Sequence, residues 1–157
     1  MKTRWAIVVL ALLAASAFAL SVQAGRWWSV GDVEIGPFGS RNCFGGDCRP
    51  TSLSWIGGTE RWARFGVATW AGGLLAMLVL LAIAGAAAAK RVPRLVARMA
   101  LVSVATTLAA GIGFVAQFPG VEGASIDRGL WLWIAGVALG TLAAILVLRQ
   151  RPAVRAA

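Results

Sequence analysis

Four long apolar stretches, near residues 5–24, 65–89, 99–118 and 130–148, contain no Asp, Glu, Lys or Arg. Each has about the 17–25 residues that a helix needs to cross the hydrocarbon of a bilayer. Within a bilayer every backbone polar group must be satisfied inside the segment, so runs of this kind become helices. The expected fold is an all-α integral membrane protein. It is a single domain over residues 1–157, a bundle of four transmembrane helices.

Charge gives the expected orientation. The amino tip (Lys2, Arg4), the segment 90–98 (Lys90, Arg91, Arg94, Arg98) and the tail (Arg149, Arg151, Arg155) are purely basic. All six acidic residues fall in 25–64 and 119–129, where an equal number of Arg balances them. The net charge of +9 therefore belongs to the segments that the positive-inside rule keeps in the cytoplasm. Both termini are expected inside a plasma (inner) membrane, with 25–64 and 119–129 outside. A strongly basic soluble chain would point to nucleic acid. Here the cations sit beside helix ends, where Lys90, Arg91, Arg94 and Arg98 are placed to meet anionic lipid headgroups.

The first stretch also fits a secretory signal, with Lys2 and Arg4 ahead of an apolar run and Val22-Gln23-Ala24 before Gly25. Its apolar run exceeds the 7–15 residues of a signal core, which favours a retained helix. Cleavage would leave three helices and the same placement of every later loop.

The four stretches also lack His, and intramembrane ionisable groups usually mark proton relays, ion sites or substrate paths. Their absence speaks against pumps and proton-coupled carriers. Small residues stand at helical spacing instead: Gly72-Gly73, Ala109-x-x-x-Gly113 and Gly136-x-x-x-Gly140. Lipid tails are as apolar as Leu, so helices in a bilayer associate by close packing, which such residues permit. They are expected inside the bundle, with contact to another subunit as the alternative.

The segment 25–64 is too long for a plain connector. Trp28/Val30 and Val33/Ile35 offer short alternating strand signals around Gly31-Asp32, and Gly36-Pro37-Phe38-Gly39 reads as a turn. The chain's two Cys, Cys43 and Cys48, flank Phe44-Gly45-Gly46-Asp47. On an oxidising side they fit a structural disulfide in a small β-like loop subdomain. A redox pair would prefer Cys-x-x-Cys, and a zinc site would want four ligands in a chain without His. Seven of the eight Trp lie in or near the two outer segments. Indoles prefer the headgroup level, and they are also enriched at binding hot spots. Trp27, Trp28, Phe38, Trp55 and Trp62 are therefore the candidate contact residues of the outer loop.

The order of first span, Trp, Gly-aromatic motif, two outer Cys, Arg, second span, short basic loop and small second outer loop resembles the claudin and peripheral-myelin-protein superfamily. Trp28, Gly36-Pro37-Phe38, Cys43, Cys48 and Arg61 or Arg64 fill the places of that pattern, and Phe118-Pro119 resembles the aromatic-Pro that often ends the third span. Leu-Trp is replaced by Pro-Phe, and the two Cys stand closer than is usual there. The resemblance implies a left-handed four-helix bundle under a small outer β-sheet, working through lateral and face-to-face protein contacts.

No nucleophile–base pair can be assembled from a chain without His or Tyr, so an enzyme is not expected, and neither is a cofactor or a metal. The expected function is that of a non-enzymatic tetraspan protein, an accessory subunit or a self-associating one. A small channel or exporter is the first alternative, and a quinone-linked thiol oxidoreductase the second.

Overall fold

The computed structural model describes residues 2–23, 26–90 and 94–150. It contains α1 (Lys2–Gln23), α2 (Glu60–Ala88), α3 (Arg94–Ala116) and α4 (Arg128–Arg149), all long and apolar enough to cross a membrane. Each helix packs against its sequence neighbours and α4 returns to α1, so the four form a ring. Ala24–Gly25, where the alternative of a cleaved signal would place the cut, Arg91 of the basic segment, and Arg151 and Arg155 of the tail lie outside the described residues.

Two helices begin about five residues before their apolar runs. Thr59 caps α2, its Oγ1 accepting the amide of Trp62 at 3.2 Å. Glu60 in the first turn suits the positive end of the helix dipole and pairs with Arg64 one turn on. Hydropathy marks only the part of a helix that needs apolar surroundings, so charged end turns escape it.

Close packing uses the predicted glycines. A Cβ on Gly72 would stand 3.1 Å from Cβ of Thr107, and on Gly73 2.7 Å from a methyl of Val22. Gly136 meets the ring of Phe18, Gly140 meets Leu80 and Val104, and Gly113 meets Phe65. The close approach at Gly72 lets Thr107 Oγ1 donate across the helix pair to the carbonyl of Thr69 at 3.1 Å. Ala109 is the exception. It is exposed on α3, because the helix turns Gly113 and Gly111 inward and leaves the alanine four residues earlier on its rim.

One end of the bundle carries a five-stranded antiparallel sheet, ordered β4-β3-β2-β1-β5. Its strands are β1 (Trp28–Val30), β2 (Val33–Ile35), β3 (Ser40–Phe44), β4 (Asp47–Thr51) and β5 (Ser125–Ile126). The two alternating strand signals around Gly31-Asp32 form strands, and these pair with each other as a hairpin. Gly45 and Gly46, both with positive φ, make the two-residue turn that joins β3 to β4. The pair Cys43↔Cys48 stands directly opposed, with Cα atoms 4.0 Å apart, and is joined as a disulfide. The fold is thus not purely helical. The sheet is also not confined to 25–64, because β5 comes from the connection between α3 and α4 and pairs with β1.

Candidate functional site

The cap sheet is seated on rings. Trp27, immediately before β1, packs edge-on against Phe114 at 5.6 Å and against Trp133 at 5.2 Å. Its Nε1 donates to Ser21, to Oγ at 3.2 Å and to the carbonyl at 3.3 Å. Trp28 stacks on Phe118 at 4.2 Å. Trp62 lies parallel to Phe114 at 5.1 Å and donates to that residue's own carbonyl at 2.9 Å. These three indoles were candidates for an exposed contact face; they are 0%, 5% and 1% exposed and form the junction between bundle and sheet. An indole offers a large apolar surface with one polar atom, so a buried site that supplies one acceptor holds it as well as an interface does.

Two of the expected contact residues remain outside. Phe38 is 62% exposed and stacks on Trp70 of α2 at 4.5 Å, while its neighbour Pro37 is buried and aims its carbonyl at Gly66. Trp55 is 49% exposed, held by a 2.9 Å hydrogen bond from Nε1 to Ser40 Oγ. The structure adds Phe44, 64% exposed at the end of the β3–β4 hairpin. The signal for it was present in the sequence: a Gly-Gly turn places its preceding residue at a hairpin tip, away from any core.

Charge on the cap is organised in one row that crosses the sheet: Ser125, Ser29, Glu34, Arg41 and Pro50 are register partners in turn. Arg26 holds Glu34 at 2.8 Å and reaches Asp127 at 4.0 Å, which ties the segment after α1 to the start of α4. Among the described residues no ion pair engages Arg41. Beneath this row, between the sheet and the end of α1, lies a groove of about 430 Å³. Val22 and Gln23 form one side, Pro37 and Phe38 another, and Glu34, Arg41, Pro50 and Ser52 the sheet side.

At the opposite end of the bundle Lys90, Arg94 and Arg98 are exposed. Arg94 also reaches the carbonyl of Gln150 at 3.5 Å, linking the start of α3 to the end of α4. Compared with known proteins, the chain matches no family model and no curated sequence.

Proposed function

We propose that this chain is a non-catalytic tetraspan membrane protein that works through protein contacts made by its sheet cap. The cap stands on the extracytoplasmic side, and both ends of the chain and the basic 90–98 segment are cytoplasmic. The exposed aromatic residues Phe44 and Trp55 carry this reading. Trp27, Trp28 and Trp62 are consumed by the cap's own foundation, while these two stand exposed on a disulfide-closed, sheet-bound frame. Exposed aromatics on a rigid support are the usual anchors of a contact face, since little entropy is lost when they bind. The bundle under a small sheet, with a disulfide between β3 and β4, supports placing the protein with claudin-like tetraspans.

The test is a photo-reactive residue in place of Phe44, activated in native membranes without reductant. A discrete adduct of defined mass supports the reading, and its mass separates a second copy from a different subunit. No adduct at Phe44 or Trp55, together with solute flux when the pure protein is placed in vesicles, would move the function to a channel.

A further inference from the structure

Resting on the membrane placement just proposed, we infer that the groove beneath the Glu34–Arg41 row seats the headgroup of one zwitterionic phospholipid. Three observations lead there. The first is level. The last turn of α1 supplies Val22 and Gln23 to the groove, and Val22 packs on Gly73 of α2. The Phe38–Trp70 stack stands one turn nearer the cap, where aromatic rings mark the headgroup zone. The groove therefore opens where a lipid headgroup must lie beside α1 and α2, and its roughly 430 Å³ falls within the usual 300–1,000 Å³ of a small-ligand site.

The second is charge. The Arg41 guanidinium is exposed and outside the cap's ion pairs, and its planar fork matches two phosphate oxygens. Directly across the strand pair, Glu34 gives one carboxylate oxygen to Arg26 and keeps the other for an ammonium group. The exposed Phe38 ring adds a face that attracts a cation. A phosphate and an ammonium a few bonds apart answer both charges at once. A purely anionic headgroup would set its charge against Glu34.

The third observation removes a peptide strand as the occupant. The sheet side of the groove ends on β4, an edge strand. Phe44↔Asp47 flank the two-residue turn, so Arg41↔Pro50 falls at a pair whose backbone amides point away from each other. Proline therefore occupies the position whose N–H would face an added strand, which blunts the edge.

The experiment uses the full chain, purified from membranes that resist alkaline carbonate extraction and reconstituted in nanodiscs of mixed phosphatidylethanolamine, phosphatidylcholine and phosphatidylglycerol. Native mass spectrometry follows bound lipid through stepwise delipidation. One zwitterionic lipid should persist per chain, and free phosphorylethanolamine should not displace it. In Arg41→Ala retention should fall roughly tenfold, the loss of one charge-assisted contact, with the thermal transition unchanged. Arg41→Lys should recover part of it, and Glu34→Gln should shift the retained lipid toward phosphatidylglycerol. Equal retention in Arg41→Ala, or a retained lipid matching the bulk mixture, overturns the assignment and leaves the membrane placement standing. Release of the chain by carbonate overturns that placement, and the lipid site with it.

Discussion

The same four helices are packed in two different ways at their two ends. At the cap end the interior is filled with rings: Trp27, Trp28, Trp62, Phe114 and Trp133. At the opposite end it is filled with Ala11, Ala84, Ala87, Ala97, Ala100, Ala143 and Ala144, with Ile7, Leu80, Ile83 and Val147 between them. Alanine faces let helix axes approach directly, so that end closes by helix-on-helix contact alone. The rings fill a space that the helices do not close by themselves, and two of the rings, Trp27 and Trp28, come from the chain that leads into the sheet. The difference teaches where the cap gets its rigidity. Its foundation is part of the bundle core, so the cap and that end of the bundle form or fail together.

The sharpest way to break this picture is at Trp62, whose ring and N–H both hold Phe114. Trp62→Ala should lower stability by about 3–5 kcal/mol. Loss of the near-ultraviolet dichroism of the cap rings at unchanged helix content would show that the damage stays at the cap end. Uniform loss of helix would mean that the two ends are not separate.

A smaller effect is expected at Gly66, where a Cβ would stand 2.3 Å from the backbone oxygen of Pro37. Backbone cannot step aside as a side chain can, so Gly66→Ala should cost about 1–3 kcal/mol. Gly85→Ala is the matched control near the other end, because a Cβ there meets nothing within 4 Å. It should be neutral or stabilising by up to about 1 kcal/mol. Denaturation of both variants in the same detergent reads the contrast, and a cost at Gly85 as large as at Gly66 would remove it.

Between the two layers, Thr107→Val keeps the shape of the side chain and deletes the hydrogen bond to Thr69. The expected loss is about 0.6 kcal/mol. A loss several times larger would show that this one contact, rather than the layers, holds α2 to α3. The smallest effect belongs to the exposed hairpin tip. Phe44→Ala should leave the unfolding midpoint unchanged while weakening the adduct formed from a photo-reactive residue placed at Trp55, and a clear fall in the midpoint would place Phe44 in the frame instead.

Much of this was legible in the residues. The four helices follow from apolar length, and the strands at 28–30 and 33–35 from alternation around Gly31-Asp32. Five of the six small residues singled out lie at close contacts. The outline of the candidate site was half legible. Phe38 and Trp55 are exposed as expected, whereas Trp27, Trp28 and Trp62 are interior. In sequence an indole beside a span is the same residue whether it floats at a headgroup, binds a partner or plugs a core. The partners decide it: acceptors at Ser21 for Trp27 and at Phe114 for Trp62, 6 and 52 residues away, and the ring of Phe118 for Trp28.

By itself, then, the sequence determined the properties that short stretches of chain can carry: apolar length, turn chemistry at Gly31 and Gly45-Gly46, and two cysteines close enough to meet. The tertiary structure decided the rest. It recruited Ser125–Ile126 as a fifth strand, turned three indoles inward, and lined up Glu34, Arg41 and Pro50 over the end of α1. The physical reason is that helix formation and tight turns are governed by neighbours in the chain. Burial and strand register depend on which distant segments share a surface, and no local pattern records that.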